Sequence, residues 1–349
     1  MTSAPDPWWD DRRGGWVIRS YELARQVLQD ATTFTVDDPR FSTGLVVGRS
    51  MLSTDGPGHA HQRRAFQPLF TKRAAVSAEA AVAAIVRRRL SSMASDGEWR
   101  TGFAAPVAVD VMIELFGLDV SPSELLGWYR TIVAAVNADG DDSAVVAYAA
   151  LAEVIGASEV IAGLVENDGA MSAAEAASNT AVGLFGGIET VEGTIASALY
   201  HAFGSVDRRD ALRADDALVG PFVEEVLRLE PAAAVVHRYA TTDADLAGWV
   251  ITAGDFVEVS ILDANRDGSV FDSPHEFRLD RANGRAHLSF AVGPHVCLGL
   301  HLARLEAATA IRLVLDDQPT LVRDDSRSSA PAGAIFRKPA TLYLRSEQP

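Results

Sequence analysis

Apolar residues recur at helical spacing through most of this chain, in runs rich in alanine. The pattern predicts helices over 72–93, 121–138, 142–167, 172–203, 221–229 and 300–315, with a shorter one over 21–30. Ser121-Pro122-Ser123-Glu124 reads as a capping box with proline at the first helical position. Ser172 and Glu175 form a second box and Gly204 a stop, so the helix between them spans roughly 30 residues, or about 45 Å. Gly186 and Gly187 stand in its interior, where the pair costs about 1–2 kcal/mol relative to alanine. Close helix packing or a functional opening of the helix would offset that cost. Strand-like stretches are few: 16–18, 235–239, 256–261 and 341–344. The fold class is mainly α with a small β region.

Hydrophobic residues make up 48% of the chain, enough for a large core, and its 349 residues fit one extended domain. No repeat or linker-like tract is visible. Residues 1–15 read as an N-terminal tail and 16–349 as the domain. The N-terminus has no apolar core of signal-peptide length, and no stretch reaches the roughly 20 apolar residues that span a bilayer. The expected location is therefore cytoplasmic, with no membrane partner. A net charge of −16 argues against nucleic-acid binding. Against that background two basic clusters stand out, one of Arg63, Arg64, Lys72 and Arg73, the other of Arg87, Arg88 and Arg89. Each is either a solvated helix face or a docking patch for an acidic partner.

Cys297 is the chain's single cysteine. Alone it forms no internal disulfide and cannot supply the several thiolates of a usual structural zinc site. A single thiolate can serve as the axial ligand of a haem iron. Gly293 and Gly299 permit close backbone approach, and the helix that follows favours the anionic sulfur through its amide dipoles. The segment from Phe290 to Gly299 has the form Phe-x-x-Gly-x-His-x-Cys-x-Gly. It resembles the haem-binding loop of the cytochrome P450 superfamily, in which the cysteine is the proximal ligand. Ala291 stands where a second glycine is common in that family.

The resemblance extends along the chain from about Trp16. Glu225 and Arg228, three apart on one helix face, are similar to the Glu-x-x-Arg helix, with Arg281 matching the arginine that joins the pair. These imply structural roles. Gly186-Gly187-Ile188-Glu189-Thr190 resembles the oxygen-activating motif, which implies a locally opened helix in which Glu189 and Thr190 deliver protons. His59 and Arg63, four apart after a Gly-Pro-Gly turn, resemble the helix over the haem propionates. Arg238 and His295 match further propionate partners, while Phe290, Gly293 and Gly299 match the loop that cradles the cofactor. His61, His201, His237, His275, His287 and His301 find no such match and read as ordinary surface or core residues. Only 58 residues precede His59, so the family's first helix and opening strand are expected to be truncated, and 34–52 is a short pocket cover.

The implied protein is a single-domain haem-thiolate monooxygenase, soluble and of bacterial type, carrying haem b on Cys297. Its substrate would be a hydrophobic small molecule, such as a terpenoid, polyketide or apolar peptide of secondary metabolism, hydroxylated or joined by ring formation or aryl coupling. Matching positions for the pocket wall are Leu184, Gly187, Ala233, Ala234, Val235, Ala334 and Ile335. Electrons would come from a ferredoxin and its reductase, because the chain has no room for a reductase domain and no flavin or nicotinamide fingerprint. The Arg63–Arg73 cluster is the better candidate for docking that donor. Two other readings stand beside this one: a peroxide-driven peroxygenase, and a haem-binding sensor or recruitment module without turnover. The acid–alcohol pair Glu189-Thr190 speaks against both.

Overall fold

The computed structural model describes residues 6–94, 97–136, 142–169 and 171–347. In chain order the elements are β1 (Trp8–Asp10), β2 (Gly15–Ile18), α1 (Tyr21–Gln29), β3 (Phe34–Thr35), α2 (Ser42–Val47), α3 (Gly56–Phe70) and α4 (Lys72–Ser91). A π-helical turn, Arg100–Ala104, leads into α5 (Ala105–Phe116), followed by α6 (Pro122–Val136), α7 (Asp142–Gly156), α8 (Glu159–Asp168), α9 (Ala173–Ala202) and α10 (Val206–Ala214). The chain continues through α11 (Val219–Leu229), β4 (Val235–Ala240), β5 (Ala244–Leu246), β6 (Trp249–Ile251), β7 (Phe256–Ser260) and α12 (Ile261–Ala264). It closes with α13 (Leu300–Asp317), β8 (Leu321–Arg323) and β9 (Leu344–Ser346).

Helices dominate, and one sheet of order β1-β2-β7-β4-β3 stands at their side, with β2 and β7 parallel and the other pairs antiparallel. Two cores result. One surrounds α9 and holds Phe66, Phe103, Phe116, Ile195, Phe222 and Val314; the other lies under the sheet around Ile18, Leu28, Phe34, Val257 and Phe271.

Three expectations are corrected. Residues 8–10, read as tail, form edge strand β1: Trp8 pairs with Val17, and the Trp9 ring stands edge-on to Trp16 at 5.7 Å. Aromatic packing supplies what this short strand lacks in length. The predicted run over 142–167 breaks into α7 and α8, bent by 75°, because Ser158 caps the second helix and donates its hydroxyl to Phe116 O at 2.6 Å. Finally, α9 keeps its capping box and runs unbroken through Gly186 and Gly187. Gly183 and Gly187 allow close packing. A Cβ on Gly187 would lie 2.2 Å from the Met112 sulfur, and one on Gly183 would lie 2.8 Å from the Phe116 ring, both on α5.

Candidate active site

Cys297 lies in the loop just before α13, and the loop is folded by its own backbone. Its N–H donates to Phe290 O at 2.8 Å, and the Val296 N–H donates to Gly293 O at 3.1 Å. Gly293 has a φ of 78°, and a Cβ there would come within 2.5 Å of Leu28 O on α1. Only glycine lets the loop seat against that helix. Ala291 also adopts the left-handed region, at φ 53°, which explains why glycine suits this position and why alanine carries strain. Burial pushes the Cys297 thiol up, while the Gly299 N–H, Arg63 and Arg304 pull it down. Iron coordination would remove the proton outright.

Four donors gather beside this loop. The His59 and His295 rings lie 4.3 Å apart, and Arg63 donates to Val296 O at 2.6 Å. Arg238 is buried and donates to the neighbouring His237 O at 2.7 Å. Burial lowers its pKa to about 10, and burial with the nearby His295 and Arg63 lowers that of His59 to about 4. Nε2 of the buried His59 has no hydrogen-bond partner among the described residues. An orphaned buried nitrogen beside desolvated guanidinium groups is the arrangement that carboxylates would complete. The site therefore fits the two propionates of a haem.

Glu225 accepts both guanidinium bonds of Arg228 at 2.8 Å, and Arg281 Nε donates to the same carboxylate at 2.9 Å. Arg228 also reaches Asn265 O, Pro274 O and Glu276 O, which ties the long segment before the cysteine loop to α11. A second cluster escaped the sequence reading. Glu224, one residue earlier, accepts from Arg304 Nε on α13 at 2.7 Å and from Nε2 of His287 at 3.1 Å, and Arg304 lies over the Phe290 ring at 4.4 Å. His287 is therefore a buried partner of Glu224 rather than an ordinary residue. No spacing rule links positions 80 residues apart, so the adjacent Glu224-Glu225 was the only sequence signal.

On α9, Glu189 and Thr190 point to different partners. The Thr190 hydroxyl donates to Gly186 O at 2.5 Å. Glu189 accepts from the Tyr129 hydroxyl at 3.0 Å and pairs with Lys338 at 2.6 Å. Lys338 also pairs with Glu192 at 3.0 Å, which in turn holds Arg100 at 2.8 Å. These residues, with Tyr129 and Arg130, line a polar cleft of ≈ 290 Å³.

Two of the expected pocket-wall residues, Leu184 and Gly187, lie on α9. Leu184 is buried and lines a small apolar cavity with Val47, Ile132, Leu151 and Phe185, while Gly187 is packed on Met112. Gly186 is open, with no atom within 4 Å of a would-be Cβ. Ala234 is also buried, its N–H donating to Ile335 O at 2.8 Å. Ala233 and Val235 remain half-buried, and Ala334 and Ile335 are exposed. Phe336 faces Phe185 edge-on at 5.4 Å. Among the basic clusters, Arg88 and Arg89 are taken up by Asp110, at 2.8 and 2.5 Å. Arg64, Lys72 and Arg73 are exposed.

A lone thiolate loop beside anion-seeking donors defines a haem-thiolate protein. Comparison with known proteins supplies the family. The cytochrome P450 family model matches residues 156–318. The chain is 31% identical to cytochrome P450 105A3 of Streptomyces carbophilus, over 95% of this chain and 85% of that protein. It is 30% identical to an erythromycin C-12 hydroxylase of Saccharopolyspora erythraea, over 92% and 87%. Its fold matches the crystal structure of P450BioI in complex with an acyl carrier protein, with a TM-score of 0.86, 28% identity and coverage of 95% and 92%. The chain belongs to the cytochrome P450 family. It is a haem-thiolate monooxygenase of the bacterial type, and its cofactor is haem b with Cys297, the one cysteine, as axial thiolate.

Proposed function

We propose that this enzyme oxidises a hydrophobic small molecule of secondary metabolism, using O₂ and electrons from an external ferredoxin. The observation that carries this reading is the retained Glu189-Thr190 pair, with its carboxylate opening on a polar cleft and its hydroxyl on the Gly186 side of α9. Phe185, Gly186, Ala233, Val235, Ile335 and Phe336 offer an apolar wall with little bulk at Gly186 and Ala233. A relative that hydroxylates erythromycin supports a bulky natural product as substrate.

When bound, haem supplies the oxygen chemistry, and the protein sets its axial ligand, proton supply and substrate pose. Cys297 provides the thiolate. His59, Arg63, Arg238 and His295 hold the propionates, while Glu225, Arg228 and Arg281 keep the cysteine loop in place. Glu189 takes protons from the cleft, held there by Tyr129 and Lys338, and passes them toward Oγ1 of Thr190. Thr190 would hold the proton at Oγ1, whose hydroxyl here donates to Gly186 O. Arg64, Lys72 and Arg73 form the patch on which an acidic donor docks.

The test is turnover by the purified holoenzyme with a surrogate ferredoxin, its reductase and O₂, against a panel of apolar natural products. Oxygenated product is expected, and it should disappear when the reductase is omitted. Equal turnover with peroxide alone would make it a peroxygenase. Haem binding without product across the panel, with electrons delivered, would favour the sensor.

A further inference from the structure

Asp55 carries the wrong charge for its surroundings. A site that receives two propionates should exclude carboxylates, yet Asp55 lies among His59, His295 and Arg238. It is also the residue before α3, where aspartate ordinarily caps the helix, but its side chain makes no capping bond. Instead it joins three segments. Oδ2 accepts from the Thr35 hydroxyl at 2.6 Å and from Val36 N–H at 2.8 Å, both in the lead-in from the sheet. Oδ1 accepts from Nε2 of His295 at 2.7 Å, in the cysteine loop. The His295 ring also packs against His59, with 4.3 Å between ring centroids.

We propose that Asp55 is a positioning residue for the cofactor: it accepts from Nε2–H of His295 and turns Nδ1 toward the haem, where, as the second N–H of an imidazolium, it would donate to a propionate. A carboxylate is tolerated here because its two oxygens are filled by three donors, so its charge is spent on the loop rather than directed at the incoming anions. Thr35 and Val36 hold Asp55 in turn, so the sheet's β3 edge is coupled to the haem loop through one side chain. The inference rests on assigning His295 to the propionates, and its test separates the two claims.

The experiment follows haem transfer from the ferric holoenzyme to excess apomyoglobin in wild type, Asp55→Ala, Asp55→Asn, His295→Ala and the Asp55→Ala/His295→Ala pair. Losing one charge-assisted bond should speed haem loss about tenfold in Asp55→Ala. His295→Ala should do at least as much, and the double variant should lose haem no faster than His295→Ala alone. Asp55→Asn keeps the size and one acceptor, and it gives the same comparison should the alanine variant fold poorly. Unchanged haem loss in both Asp55 variants would overturn the proposal. So would effects that multiply in the double variant, since Asp55 would then act only as a clasp for the sheet. If His295→Ala itself keeps haem as wild type does, the propionate assignment fails and the proposal falls with it.

Discussion

Lys338 holds the Glu189 carboxylate at 2.6 Å and the Glu192 carboxylate, one turn further along α9, at 3.0 Å. One ammonium thus serves two acids, with Arg100 as second partner of Glu192. Lys338→Gln leaves two carboxylates with one guanidinium and should cost about 1–3 kcal/mol of stability. Adding Glu192→Gln in the same chain removes the excess charge and should recover most of that loss. Urea unfolding of the three proteins measures it. A double variant no more stable than Lys338→Gln would show that the lysine acts by packing instead.

The proton path gives a second outcome. Glu189→Gln keeps an acceptor for Tyr129 but loses the ion pair, and should slow turnover on the order of a hundredfold with substrate binding little changed. Thr190→Ala should accept electrons normally yet divert them to hydrogen peroxide. Peroxide yield per NADPH consumed is the readout. Unchanged coupling in both variants would leave the pair without a role.

Acid should loosen the haem loop through Glu224. Burial alone would raise its pKa, but hydrogen bonds from His287 and Arg304 outweigh burial and hold it at about 2. A pKa depressed on folding stabilises the protein above the ordinary carboxylate range, and the gain is lost as pH falls toward that lower value. Glu224→Gln should therefore weaken the protein at pH 7 and flatten the fall in stability between about 4.5 and 2. Unfolding midpoints across that range, compared with wild type, decide it.

Ala291 offers a gain. Its left-handed backbone suits glycine, so Ala291→Gly should stabilise the protein by about 0.5–1 kcal/mol once the glycine's freer unfolded chain is subtracted. A loss of stability would mean that the methyl group packs better than the backbone suffers.

Much of this was legible in the chain, for reasons that also explain what was not. Glu225 and Arg228 are three apart on a helix, and the cysteine loop is a contiguous segment, so local spacing carries both. Asp55 with His295 and Glu224 with Arg304 meet only through tertiary packing, 240 and 80 residues apart. Helix α9 buries residues on every side, so no polar stripe distinguishes its faces, and only Met112 against Gly187 shows which side packs on α5. Strand β1 was hidden because three residues carry no period, and Trp9 against Trp16 does the work of pattern. That Arg88 and Arg89 share Asp110, from the next helix, was likewise invisible in the sequence, because the partner lies 22 and 21 residues away.

The proposed electron supply would run through the other patch, Arg64, Lys72 and Arg73. A protein of net charge −16 repels an acidic ferredoxin at long range, so docking needs local positive charge. Reversing Arg64 and Arg73 to glutamate should slow the first electron transfer and weaken its salt dependence, while dithionite reduction stays unchanged. Transfer as fast as wild type at low salt would mean a solvated face only.

The central claim is thiolate ligation by Cys297, and the ferrous–CO spectrum tests it most directly. Wild-type protein should show the strongly red-shifted Soret band of a thiolate-ligated haem. Cys297→Ala should abolish that band, and Cys297→His should leave at most the spectrum of a histidine-ligated haem. A wild-type CO complex with an ordinary histidine-type Soret band, or a red-shifted band that survives in Cys297→Ala, would contradict it.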